Sequence, residues 1–233
     1  FHVLIEPEVR HNILQGITTV IVGNCGFGAA GSDAGKMQMR AINEPSADLP
    51  DWTGYAGYLE EVDKTSPALN VAALIGHHTA RREAMGGVAD RPPSDSELAA
   101  MLANVTEGME AGAVGLSTGL VYEPGRYAST EEVVALSKVV GKHGGLYVSH
   151  MRDEGSGLLD SVRETLHIGE ASGTAVEISH HKSVGKTNWG MVTQSLEMIE
   201  EAIAQGRDVT ADQYPYTARS TMLFALIQNG TFN

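Results

Sequence analysis

Six short apolar runs in this chain each end in side chains that can hold a metal, move a proton or hydrogen-bond a substrate. The end groups are Asn24-Cys25, His77-His78, Ser117-Thr118, Ser149-His150, Ser179-His180-His181 and Asp212-Gln213-Tyr214. Cys25, His150 and His180 stand out, because thiolate and imidazole are preferred zinc ligands. Three protein donors with one open position is the arrangement of a catalytic zinc, which acidifies a bound water. The bland readings are that a lone cysteine packs as a small hydrophobe and that each histidine serves a core or polar role. Side chains alternate along a strand, so at most one histidine of each pair, His77-His78 and His180-His181, is expected to point inward. His2, His11, His143 and His167 read as ordinary surface residues.

For the candidates to converge, the runs must be neighbouring strands, and the grammar between them says so. A helical stretch, a glycine and a short apolar run recur at Gly16, Gly112, Gly145, Gly173 and Gly206; the run Asn70–Ile75 lacks the leading glycine. Ser94-Asp95-Ser96-Glu97 and Ser129-Thr130-Glu131-Glu132 have capping-box spacing. Apolar residues then recur at helical period through Leu98–Met109 and Val133–Val140. Further helices are expected over about Glu8–Gln15, Leu158–Ala171 and Met191–Ala204. Alternating strands and helices build a parallel sheet by right-handed crossovers, where chemistry gathers at the carboxyl ends of the strands. A closed barrel of eight units takes about 250 residues. Six strands in 233 residues therefore read as a partial TIM-type (β/α)8 barrel, with an open doubly wound sheet as the alternative. One partial domain spans 1–233, and the segment from about Phe27 to Trp52 reads as a long loop.

Composition narrows the function classes. Sixteen basic against twenty-nine acidic residues give a net charge of −13, which argues against nucleic acid or an anionic membrane as partner. No apolar run reaches the roughly 18 residues of a spanning helix. A single cysteine excludes an internal disulfide and suits a reducing, cytoplasmic compartment. Gly26-Phe27-Gly28-Ala29-Ala30-Gly31 matches a dinucleotide fingerprint, but only a weak helix start, Ser32-Asp33-Ala34-Gly35, and no acid-ended strand follow it, where that site requires both.

Five ordered strings carry a family resemblance: Gly16-Ile-Thr-Thr-Val-Ile-Val-Gly-Asn-Cys-Gly26, Gly115-Leu-Ser-Thr-Gly-Leu-Val-Tyr-Glu-Pro-Gly125, Ser149-His-Met-Arg-Asp-Glu-Gly155, Ile178-Ser-His-His-Lys182 and Asp212-Gln-Tyr-Pro-Tyr216. From about residue 7 to 221 the chain resembles the N-acyl-D-amino-acid deacylases of the metal-dependent amidohydrolase superfamily. The resemblance implies a TIM-barrel catalytic domain that hydrolyses N-acyl-D-amino acids to a carboxylate and a D-amino acid. It places Cys25, His150 and His180 as ligands of a tightly held zinc ion, and Tyr122, Lys182 and Tyr214 among the groups that bind substrate or polarise its carbonyl. Arg152 follows His150 by two residues, so a shared strand face would aim it at the substrate carboxylate. An ion pair with Asp153 or Glu154 is its other reading. His77 and Arg81 resemble a family segment without an assigned role. The family's His-x-His pair would lie just before Phe1, its presumed general-base aspartate beyond Asn233, and its small β domain is absent. A piece of a longer protein, with little activity alone, is the expectation. A cyclic-amide amidohydrolase and a non-enzymatic binding module are the competing readings.

Overall fold

The structure, a computed structural model, describes residues 2–29, 36 and 49–222. Six parallel strands form one sheet in the order β1 to β6: Thr19–Val22, Asn70–Gly76, Gly115–Gly119, Leu146–His150, Ala175–Ile178 and Val209–Ala211. Every strand pairs with the next in sequence, with no reversal of order. A doubly wound sheet would reverse at a switch point. The order is that of a barrel wall, and the chain builds a half-barrel with helices outside.

Two short helices, α1 (His2–Ile5) and α2 (Arg10–Ile13), precede β1. The expected Glu8–Gln15 helix is thus a single turn. The outer helices are α3 (Gly54–Thr65), α4 (His77–Met85), α5 (Asp95–Glu110), α6 (Thr130–Lys142), α7 (Leu158–Ser172) and α8 (Met191–Ala204). Ser94 caps α5 in a full capping box: its Oγ accepts from the Glu97 N–H at 3.3 Å, and the Glu97 carboxylate accepts from the Ser94 N–H at 2.7 Å. Ser129 caps α6 on one side only, because Glu132 turns its carboxylate to His77 and Arg81 instead. Before β4 the left-handed turn belongs to Gly144 (φ +70°), not Gly145; a Cβ at Gly145 would meet the Met109 methyl at 2.6 Å.

Apolar faces of helices and strands close two adjoining cores. Trp52, Tyr58, Ile75, Met101, Val105 and Leu116 fill the one behind β1–β3, and Tyr147, Leu158, Val162, Ile168 and Ile178 the one behind β4–β6. The strand register lines up the carboxyl ends: Gly119 stands opposite His150, Ser149 opposite Ile178, and Ile178 opposite Ala211. That alignment brings distant parts of the chain to one rim.

At β2 the strand does not persist through the histidine pair. The strand passes directly into α4 at His77, so strand alternation no longer applies and both histidines are buried. His77 Nε2 meets Glu132 Oε1 at 2.8 Å; His78 Nε2 donates to the Gly119 carbonyl at 3.0 Å. The glycine-rich run after β1 lies partly outside the described residues, as does most of the expected loop to Trp52. Within it, Gly26 and Gly28 permit close packing: a Cβ at Gly28 would stand 2.3 Å from the Gly76 nitrogen, and one at Gly26 2.7 Å from the His78 ring. No helix among the described residues is long and apolar enough to cross a membrane.

Candidate metal centre

Cys25 lies three residues beyond β1, His150 closes β4, and His180 lies two residues beyond β5. Separated by up to 155 positions, the three side chains meet. Cys25 Sγ is 3.5 Å from His150 Nδ1 and 3.8 Å from His180 Nε2, and the three donor atoms all lie within 4.8 Å of one another. The local backbone is built for this. Cys25 and His180 both adopt left-handed conformations (φ 57° and 40°), unusual for residues with a Cβ and typically costing about 1–3 kcal/mol each. Hydrogen bonds on either side hold them there. Ser117 Oγ accepts from the Gly26 N–H at 3.0 Å and donates to the Gly23 carbonyl. The His180 N–H donates to Asp212 Oδ1 at 2.5 Å, and the His181 N–H to the Asp212 carbonyl at 2.9 Å. His181 itself turns outward, with Nε2 2.9 Å from Ser195 Oγ.

The donor set fits a borderline-soft divalent ion. Zinc–sulfur and zinc–nitrogen bond lengths put tetrahedral S···N neighbours about 3.6 Å apart, close to the separations found. The electrostatics agree. Burial pushes His150 down to about 3, with the Lys182, His180 and Arg219 charges acting the same way against Glu154, so its ring is neutral and its lone pair available. Burial would lower His180 too, but Cys25 and Glu154 outweigh it and raise it to about 9. The proton so favoured sits between the Cys25 sulfur and the Glu154 carboxylate, and a metal ion would have to displace it.

Around the three donors the expected substrate groups fall unequally. The Tyr122 ring packs edge-on against His150 at 4.8 Å, and its hydroxyl is 2.8 Å from Thr221 Oγ1. Lys182 Nζ is 5.5 Å from the centre of the Tyr214 ring, which lies 6.5 Å from the His180 ring. Arg152 is a correction. Its Nε and Nη2 donate to Glu164 at 3.0 and 2.9 Å, and its Nη1 and Nη2 to the Arg126 and Ala128 carbonyls at 3.1 Å. The strand ends at His150, so the shared-face argument does not extend two residues further. Arg152 is a structural ion pair, with Glu164 rather than Asp153 or Glu154.

Two site residues were not singled out by the sequence reading. Glu154 is buried, with Oε1 2.9 Å from His180 Nδ1 and 2.5 Å from Lys182 Nζ, and its carboxyl is held down to about 2: burial would raise it, but the His180 hydrogen bond and nearby positive charges prevail. Arg219 contributes positive charge felt at His150, Tyr122 and Tyr214. Among the described residues one other group has metal-ligand spacing, the exposed trio His2, Glu6 and His11.

A half-barrel whose strand ends gather a thiol and two imidazoles carries a candidate metal centre on a barrel wall. Comparison with known proteins narrows this. No family model matches the chain. It is 39% identical over 229 residues to a D-aminoacylase from Alcaligenes xylosoxydans xylosoxydans, covering 95% of this chain and 46% of the relative. It is also 39% identical over 223 residues to an N-acyl-D-glutamate deacylase of the same organism, covering 94% and 44%. Among solved structures, D-aminoacylase superposes with a TM-score of 0.86 at 36% identity, covering 95% of this chain and 46% of that one. An N-acyl-D-glutamate deacylase from Bordetella bronchiseptica, complexed with zinc and a phosphonate inhibitor, gives 0.81 at 38% identity, covering 91% and 44%. By sequence and fold the chain is similar to the N-acyl-D-amino-acid deacylases along nearly its whole length. It spans about half the length of the curated relatives it matches.

Proposed function

We propose that the chain forms part of a zinc-dependent hydrolase that cleaves the amide bond of an N-acyl-D-amino acid to a carboxylate and a D-amino acid. The observation that supports it most is the meeting of Cys25 Sγ, His150 Nδ1 and His180 Nε2 at the rim of a fold shared with deacylases. These residues would hold the ion, which when bound supplies a Lewis acid for the scissile carbonyl and an acidified water. Tyr122 keeps its proton, since burial raises its phenol, and can donate to the oxyanion that develops. Lys182, with the charge of Arg219 nearby, is suited to the substrate α-carboxylate, which is how a chain of charge −13 binds an anion. Tyr214 beside Lys182 would line the same subsite.

A cyclic-amide substrate is the second reading. The L-hydantoinase of Arthrobacter aurescens shares the fold with a TM-score of 0.53, but at 15% identity it speaks to the barrel alone. Assaying the full-length, metal-loaded protein on N-acyl-D-amino acids, their L-enantiomers and cyclic amides separates the readings. Turnover of the D-compounds is expected; turnover confined to cyclic amides, or binding without turnover, refutes the proposal.

A further inference from the structure

Glu154 stands where two functions meet, and no ligand role accounts for it. Its Oε1 is shared by His180 Nδ1 at 2.9 Å and Lys182 Nζ at 2.5 Å, and those two nitrogens are 3.0 Å apart. The loop carrying it is fixed. The Asp153 carboxylate accepts from the Gly155 and Gly157 N–H groups at 2.6 and 3.1 Å. The Val184 N–H donates to the Glu154 carbonyl at 2.7 Å, fastening this loop to the one that follows β5.

The geometry points to Glu154 as a positioning residue that fixes the His180 ring and holds Lys182 through the same carboxylate oxygen. This rests on the proposed ligand set. His180 presents Nε2 to Cys25, so a cation there needs the lone pair on Nε2 and the proton on Nδ1. Lys182 Nζ, a donor only, would favour the opposite tautomer if it alone faced Nδ1. A carboxylate between them reverses that preference, because it accepts from both nitrogens. Carboxylate–histidine–metal relays of this kind raise ligand basicity, and their loss typically weakens metal affinity about 10–100-fold. The same contact stations the ammonium beside the metal, where it would otherwise be repelled.

The two partners therefore have opposite effects on metal binding, which general loosening of the loop would not produce. Zinc dissociation constants of the full-length protein, measured by competition with a chromophoric chelator, read this directly. We expect Glu154→Gln to weaken zinc about 10–100-fold, while Lys182→Met, which removes a positive charge beside the ion, leaves it unchanged or tighter. Melting of the metal-free proteins controls for folding. Should Glu154→Gln fail to fold, Glu154→Asp carries the test: it keeps the charge one methylene short, and several-fold weakening supports the role. Wild-type affinity in the folded Glu154 variant, with zinc lost in Cys25→Ala, overturns the positioning role and leaves the ligand set standing. Equal weakening in the Glu154 and Lys182 variants overturns it as well. Zinc retained in Cys25→Ala overturns the ligand set itself.

Discussion

Replacing Glu132 tests how the fold holds the first turn of α4 beneath the rim. The side chains of Glu132, His77 and Arg81 are 2%, 0% and 0% exposed. Glu132 Oε1 takes His77 Nε2 at 2.8 Å and Arg81 Nε at 3.1 Å, while the rest of the guanidinium bonds to the Ala89 and Arg91 carbonyls and to Met85 Sδ. Glu132→Gln retains one accepting oxygen but leaves the buried guanidinium without its carboxylate. Breaking a buried pair from one side costs about 3–5 kcal/mol, and a hydrogen bond to a charged group is worth about 1.5–3. With one acceptor kept, the expected loss is about 2–3 kcal/mol. For a domain of this size that is a fall in Tm of about 4–12 °C. Urea unfolding at constant m would measure it.

The sign with pH follows from the same contacts. Burial would raise the Glu132 carboxyl, but His77 and Arg81 prevail and hold it below its ordinary 4.5. Its contribution is complete above the ordinary value and is lost as pH falls through the lower folded one. The wild-type advantage over Glu132→Gln should therefore shrink on acidification below about pH 4.5. A loss under about 1 kcal/mol near neutrality, or a gap that widens in acid, would refute the assignment of Glu132 as a charged anchor.

Two further outcomes separate structural from functional roles near the rim. Arg152→Met should cost about 1–3 kcal/mol of stability through its contacts to Glu164 and two carbonyls, with KM for an N-acyl-D-amino acid unchanged; normal stability with a raised KM would restore Arg152 to the substrate. Tyr122→Phe in the full-length protein should keep its zinc content while kcat falls about 10²–10³-fold, the usual effect of losing an oxyanion donor; an unchanged kcat would exclude that role.

Local signals carried the scaffold. Caps at Ser94 and Ser129, helical periodicity and glycine punctuation locate the helices of the C-terminal part nearly residue for residue, since each is a property of a few neighbouring positions. The end of an apolar run, together with residue type, was enough to raise Cys25, His150 and His180 as candidates. Two readings fail where a local rule reaches its limit. Arg152 was placed by strand alternation, which holds only while the strand lasts, and β4 stops at His150. Glu132 has capping-box spacing, yet the buried His77 and Arg81 compete for its carboxylate and win. Glu154 carries no local signal either. Its role depends on His180 and Lys182, which reach it only once β4 and β5 are paired.

X-ray absorption at the zinc edge of the metal-loaded protein tests the ligand set most directly, because sulfur and nitrogen scatter differently. A first shell holding one sulfur at about 2.3 Å with nitrogen or oxygen at about 2.0–2.1 Å is predicted, with the sulfur disappearing in Cys25→Ser. A wild-type shell of nitrogen and oxygen alone would contradict the assignment of Cys25, and with it the shared centre.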